Sequence, residues 1–547
     1  MVRNAVEPED PTQITLIVDD ATADQGAPPP EGFGEIGRVV HWNRTPSFTD
    51  VAGLLEPGSE VKPGQFLAVW HGRRGISTLT IIQVASAFEV NPNEVPDLAA
   101  AREALGLGRG YADEGISTRI FRLAECATLE EFDLRKALPG AWVISGDGRA
   151  PSLLPRAGDP ILSLPPEIIV QIIGGKPDPD DGVNVGDTYG TTPVRVTLTP
   201  EIFQLHVGIF GNPGKGKSYL AGNLIEEAVS WGIPTLALDI NGELIEAAKA
   251  LKGLVITLPD PSQFGISLNL MTPQELVAVT PNVQPGTIYA ELIELAHDQL
   301  RNEARGGRIT FERLKTRITE LGLASKAPQT SLGAAIARLS VLERDPLIGG
   351  DFDFIKQIIA RRLVVLDCRF LSLRQTQLIA AAGARELQRI GREMARKADA
   401  GDEEAAKWFA LYFVDEAHAV VPNDESVVST QVHFELARMG RHVRTGMVLS
   451  SQSPQDLNTS VLKRLQTRFI FALERDQLRS IQGVMADLDE KIVLQLPKLP
   501  RGVCAVSGSG ELVRHGFLLR VRERVTPVGG RTPPVFEGRK KFRLVEP

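Results

Sequence analysis

Eight consecutive residues, Gly211-Asn212-Pro213-Gly214-Lys215-Gly216-Lys217-Ser218, fit the phosphate-binding loop pattern G-x-x-x-x-G-K-[ST] at every fixed position. The pattern implies a nucleoside triphosphate. Glycines let backbone N–H groups turn inward around phosphates, and a following helix adds positive potential at its N-terminus. Lys217 is placed to reach the β and γ phosphates, the Ser218 hydroxyl to ligate Mg²⁺, and Lys215 adds a further positive charge. The expected cradle comprises Gly211, Asn212, Pro213, Gly214, Lys215, Gly216, Lys217, Ser218 and the first helical residue, Tyr219.

A second constellation begins at Leu411, where four apolar residues lead to Asp415 and Glu416. That is a Walker B pattern. Asp415 would hold the metal shell, while Glu416 orients and polarises the attacking water. Asp415-Glu416-Ala417-His418 also spells the tetrapeptide of a helicase class that needs two ATPase cores, but this chain carries one phosphate loop, and His418 reads as a local structural residue. Gln452 closes the run Met447 to Gln452 and is a sensor candidate for the γ-phosphate or the water. Between these motifs lie Arg438, Arg441 and Arg444, one of them a candidate arginine finger, the alternative being surface salt bridges.

Buried strands must carry these groups. His206 to Phe210 reads as the strand before the loop and Tyr219 to Ala228 as the helix after it. Further apolar runs at 235–240, 363–367, 411–416, 447–452 and 468–473 give a parallel-rich sheet of at least six strands. Polar residues ending such strands face the ligand crevice. The expected fold is therefore α/β, a RecA-like phosphate-loop core with a helical insertion and a small N-terminal β-barrel. Its expected parts are 1–32, a strand and connector; 33–174, the barrel; 175–271 and 361–510, the two parts of the core; 272–360, the insertion; and 511–547, a strand and tail. Gly174 to Asp187 reads as a polar connector, Asp97 to Leu107 as a helical excursion and Pro497 to Ser507 as a final hairpin. The insertion's Arg301, Arg305, Arg308, Arg313, Lys315 and Arg317 read as a solvated helix face, or else as phosphate-backbone contacts.

Composition narrows the class. The 547 residues are 43% hydrophobic and 23% charged, which excludes wholesale disorder. With net charge −8 the surface as a whole is not the basic shell of a protein that coats nucleic acid, so any DNA contact must be local. No apolar run approaches the roughly 20 residues of a membrane span, and no apolar leader opens the chain, so a cytoplasmic location is expected. Cys126, Cys368 and Cys504 lack metal spacing and read as reduced core residues.

Together, His206 through Ser218, Asp239-Ile240-Asn241-Gly242-Glu243, Val414 through His418, and Gly440-Arg441 through Pro454 resemble the HerA family of hexameric DNA translocases, in the HerA/FtsK branch of ATPases. Ile36-Gly37-Arg38-Val39-Val40 and Ala157-Gly158-Asp159 resemble, more weakly, the family's HAS barrel. The resemblance implies an ATP-driven homo-hexamer that threads duplex DNA and docks a NurA-like nuclease or other effector on its barrel face, in end resection or antiphage defence. It implies catalytic roles for Lys217, Ser218, Asp415, Glu416 and Gln452, and makes Arg441 the finger acting on a neighbouring subunit. Leu205 stands where the family often has an arginine, which puts a second arginine contact to nucleotide in doubt. The other expectation is an ATP-gated ring scaffold that activates an effector without processive movement.

Overall fold

The computed structural model describes residues 29–529 apart from 43–44, 73–76, 91–120, 139–140, 191–192, 304–306, 425–426, 486, 509 and 511. The expected strand at 12–18, the excursion Asp97 to Leu107, Arg305 and the tail beyond 529 lie outside the described residues. Two compact units emerge: the chain through Thr199 with Gln482–Val521, and Pro200–Ile481 with the residues from Arg522 onward. This division cuts the chain elsewhere than the expected boundaries, since residues 175–199 and 482–510 group with the barrel and not with the ATPase core.

In the first unit, strands β1 (Glu35–Val40), β2 (Asp50–Leu55), β3 (Phe66–His71), β4 (Thr78–Val90), β5 (Phe121–Leu138), β6 (Ala141–Arg149) and β7 (Pro160–Ser163) form one antiparallel sheet in the order β2-β1-β7-β3-β4-β5-β6. Because β2 also pairs with β5, the sheet closes on itself. Register shifts between Thr80 and Ile82 and between Val84 and Ser86 let the long β4–β5 ribbon bend enough to close. Val39, Val51, Val69, Ile82, Val84 and Ile161 fill the interior with Cys126, whose thiol burial pushes up to about 12.

Gly174 to Asp187 is not merely a connector. Helix α1 (Pro166–Ile173) ends on Gly174, and after a short turn β8 (Val183–Thr188) pairs antiparallel with β9 (Arg195–Leu198). Its Asp- and Gly-rich sequence masks a period of two, in which Val183 and Val185 are wholly buried.

The second unit holds seven parallel strands, β10 (Val207–Phe210), β11 (Thr235–Asp239), β12 (Leu254–Thr257), β13 (Leu363–Asp367), β14 (Ala410–Val414), β15 (Thr445–Ser451) and β16 (Thr467–Phe471), ordered β12-β13-β11-β14-β15-β10-β16. Helices α2 (Lys217–Ser230) and α3 (Ile245–Ala250) follow β10 and β11. Between β12 and β13 come α4 (Pro273–Val279), α5 (Ile288–Glu303), α6 (Phe311–Ala324), α7 (Gln329–Leu342) and α8 (Phe354–Arg361). There the basic side chains are largely engaged within the insertion: Arg308 pairs with Asp351, Lys315 with Glu343, and Arg317 with Glu303 and Glu320. After β13 run α9 (Leu373–Asp399) and α10 (Glu403–Lys407), and α11 (Thr430–Met439) precedes β15.

The chain then returns to the first unit. Expected as a hairpin at Pro497 to Ser507, this region instead forms one strand, β17 (Val503–Gly508), paired antiparallel with β18 (Phe517–Val521). A short turn at Leu496–Lys498 occupies the segment before it. Among the described residues no helix is long and apolar enough to cross a membrane.

Candidate nucleotide-binding site

β10 runs wholly buried between β15 and β16 and delivers its carboxyl end to the phosphate loop. Gly216, with φ of 127°, turns the chain into α2, a conformation that a side chain would oppose. Lys217 is buried at the first helical position, and desolvation holds its ammonium below the usual range against the pull of Glu416, Asp415 and Glu243. A phosphate would relieve that desolvation. The Ser218 hydroxyl donates to the Glu243 carboxylate. The Tyr219 hydroxyl instead accepts from the Arg524 N–H at 2.9 Å, so any phosphate contact from Tyr219 would come through its backbone.

At the end of β14, next but one to β10, stand Asp415 and Glu416. Burial, followed by the negative charges of Glu416, Asp239 and Glu243, pushes Asp415 well above the usual carboxylate range. Its Oδ2 is buried without a hydrogen-bond partner. An orphaned carboxylate oxygen among like charges fits a hard divalent cation. No group of three or more His, Cys, Asp or Glu able to hold a metal occurs among the described residues.

Glu416 adopts φ 45° and ψ 50°, a left-handed conformation that costs a non-glycine residue about 1 kcal/mol or more and turns its side chain back over the strand ends. Its Oε1 accepts from Asn241 Nδ2 at 3.0 Å, and its Oε2 lies 3.5 Å from the Gln452 N–H nitrogen and 3.4 Å from His418 Nδ1. Gln452 therefore meets Glu416 through its backbone. His418 Nδ1 also lies 3.1 Å from Ser451 Oγ, tying β15 to the Walker B turn, in keeping with a structural role.

Arg441 is placed differently. It sits exposed in the turn between α11 and β15, before the amino end of β15, whereas the phosphate loop leaves the carboxyl end of β10. The parallel register pairs Phe210 with Ser451, so the length of β10, roughly 13 Å, separates the two ends of the sheet. The fold does not bring Arg441 to the phosphate loop of the same chain. Arg444, in the same turn, donates to the carbonyls of Ala405 and Ala406 and so is occupied locally. Leu205 is buried ahead of β10.

Sequence reasoning set Asp239 to Glu243 at the crevice and in the family resemblance but gave Asp239, Asn241 and Glu243 no role in the site. Asp239 Oδ1 accepts the N–H groups of Gly242 and Glu243 at 2.8 and 3.0 Å, and its Oδ2 accepts that of Leu244 at 2.9 Å. Burial, only partly offset by those three bonds, raises its pKa to about 6. The available signal was their position directly after a buried strand.

The family model described as "Helicase HerA, central domain" matches residues 183–387. The chain is 23% identical over 415 residues to the DNA double-strand break repair helicase HerA of Sulfolobus acidocaldarius, a match covering 74% of this chain and 81% of that one. Among solved structures, VirB4 of Thermoanaerobacter pseudethanolicus aligns with 62% of this chain and 96% of its own, at 16% identity and TM-score 0.47. The plasmid coupling protein TrwB, solved with ADP and Mg²⁺, aligns with 62% of this chain and 89% of its own, at 14% identity and TM-score 0.44. This chain is thus similar to the HerA helicases, through the central-domain model over residues 183–387 and through a curated relative across most of its length.

Proposed function

We propose that this chain hydrolyses ATP with Mg²⁺ and couples turnover to movement on duplex DNA, as a homo-hexamer that works with a nuclease or other effector. The carrying observation is that the phosphate loop and the acids after β14 are joined at the carboxyl ends of one parallel sheet, where Ser218 donates to Glu243 and Asn241 of the same turn donates to Glu416. Support for DNA as the substrate comes from the relative's name, a DNA double-strand break repair helicase.

In this reading the loop's backbone N–H groups and Lys217 bind the β and γ phosphates, and Ser218 and Asp415 are the residues that would hold Mg²⁺, whose charge would stabilise the transferred phosphoryl group. Glu416 Oε2 takes the proton of the attacking water, oriented beside the Gln452 N–H. Arg441, remote from its own loop, supplies its charge to a neighbouring subunit.

The test is ATP turnover by the purified protein with and without duplex DNA, at a stated moderate salt concentration because phosphate contacts weaken steeply with salt. Stimulation by DNA, lost in Lys217→Ala, is the expected result. Turnover that duplex DNA neither binds to nor alters, with an effector present or absent, overturns translocation in favour of an ATP-gated scaffold.

A further inference from the structure

The turn Asn241-Gly242-Glu243 is assigned no bond-making or proton-transfer role above, yet it reaches two of the groups assigned a part in the reaction. From its first residue, Asn241 Nδ2 donates to Glu416 Oε1 at 3.0 Å. From its last, Glu243 accepts the Ser218 hydroxyl. Between them the backbone is held. The Asp239 carboxylate accepts three successive N–H groups of this segment, and the Arg369 side chain, paired at 2.8 Å with both oxygens of Asp367, lies over the Gly242 Cα. Gly242 has φ of 75°, so the position favours glycine. Asp239 and Asp367 face each other across paired strands β11 and β13, and the turn is thereby anchored in the sheet.

We infer that Asn241 and Glu243 are positioning residues that couple the placement of Glu416 to the Ser218 metal position through this one clamped turn. This inference rests on the ATPase reading above and deepens it. A serine hydroxyl that offers a lone pair to Mg²⁺ must send its proton elsewhere, and Glu243 is the acceptor that orients it. A glutamate that takes a proton from water needs one oxygen fixed and one available. Asn241 fixes Oε1 and leaves Oε2 on the Gln452 side. Since both contacts hang from one turn clamped by Asp239, displacement of Glu243 at the metal side is transmitted to Asn241 and hence to Glu416. The site then registers that its metal position is filled before the water is activated.

The test is a double-mutant cycle on the full chain, with two readouts: Mg²⁺-dependent binding of a fluorescent ATP analogue, and the separation of kcat from KM. Asn241→Ala is expected to lower kcat about 10-fold with analogue affinity kept within about twofold, because it touches the base and not the phosphates. Glu243→Ala is expected to raise the Mg²⁺ concentration for half-maximal analogue binding about 10-fold. Glu243→Gln, which still offers a carbonyl oxygen to Ser218, is expected to recover most of that affinity. In the double variant the kcat losses are expected to fall well short of their product, as they must for groups acting as one unit. Losses that multiply, or Glu243→Ala with unaltered Mg²⁺ dependence, overturn the coupling. Thermal melting of each variant identifies misfolding, in which case Asn241→Ser and Glu243→Ser, whose short side chain no longer reaches Ser218, carry the same cycle. If the parent protein neither binds the analogue nor turns over ATP, it is the ATPase reading that fails.

Discussion

The Glu226 carboxylate, on the helix that opens at the phosphate loop, accepts both the backbone N–H and the hydroxyl of Thr526, at 2.8 and 2.6 Å. Its other oxygen accepts from Arg522 at 2.9 Å. These bonds strap the segment from Arg522 along α2, with 300 residues of sequence between the partners. Burial alone would raise the pKa of Glu226, but the bonds from Thr526, Arg522 and Val525 together hold it below the ordinary carboxylate value. A carboxylate depressed in the folded state contributes stability above its unfolded pKa, which is lost as pH falls through the folded one. Glu226→Ala is expected to cost about 2 kcal/mol and to remove part of the acid-side loss below about pH 4.5, as read by thermal melts across pH.

Gly222 makes room for that strap. A Cβ at this position would lie 2.1 Å from Arg524 Cζ, inside the guanidinium. Alanine in mid-helix normally stabilises by about 1 kcal/mol over glycine, but here Gly222→Ala is expected to destabilise by about 1–3 kcal/mol through overpacking. The Gly222→Ala/Arg524→Ala double variant should melt higher than additivity allows. An additive double variant would count against this contact.

Lys217→Ala should abolish tight nucleotide binding, whereas Glu416→Gln should bind ATP and stop turning it over, because only the second spares the phosphate cradle and the metal position. The measurements are equilibrium binding of ATP and single-turnover hydrolysis. Parental turnover in Glu416→Gln would mean that another group positions the water.

Arg441→Ala should fold and bind ATP while losing most hydrolysis, since external arginines contribute roughly 10³- to 10⁵-fold in phosphate-loop enzymes. Mixing it with Lys217→Ala protein should partly restore turnover, because some interfaces then join an intact loop to an intact arginine from the next subunit. Native mass spectrometry reports whether subunits exchange. Exchange without restored turnover would place Arg441 in cis, or require every site of the ring to be competent at once.

His206, one residue before β10, has φ of 65° and accepts the Met447 N–H on Nδ1 at 3.0 Å. Burial lowers its pKa to about 4 despite hydrogen bonds to the carbonyls of Ala437 and Leu436. From about pH 6.5 down to 4 the unfolded chain binds a proton that the folded chain refuses, so stability falls as pH falls through that window, by about 3 kcal/mol. His433, lowered to about 4 by the same burial, adds to the same slope. His206→Asn tolerates the positive φ and should roughly halve the slope, as read by denaturant melts between pH 4 and 7.

The phosphate loop and the Walker B acids were legible because each is a contiguous string whose function depends on local chain geometry: a strand, a turn and a helix start in one case, a buried strand ending in acids in the other. The core strands were legible for a related reason. A parallel strand buried on both faces must be apolar along its length, as Leu363–Asp367 and Ala410–Val414 are. Short β8 and β12 were not, since four to six residues among Asp, Gly and Pro carry too little periodicity. Only tertiary structure decided which polar strand ends meet. Asn241 reaches Glu416 across 175 positions and Glu243 reaches Ser218 across 25, because β11 and β14 pair in register and the Asp239 clamp fixes the turn between them. Tertiary structure likewise put Arg441 at the opposite edge of the sheet from its own loop. Direction along a strand is local information, but which strands lie side by side, and so which side chains share a crevice, is set by packing across the whole sheet.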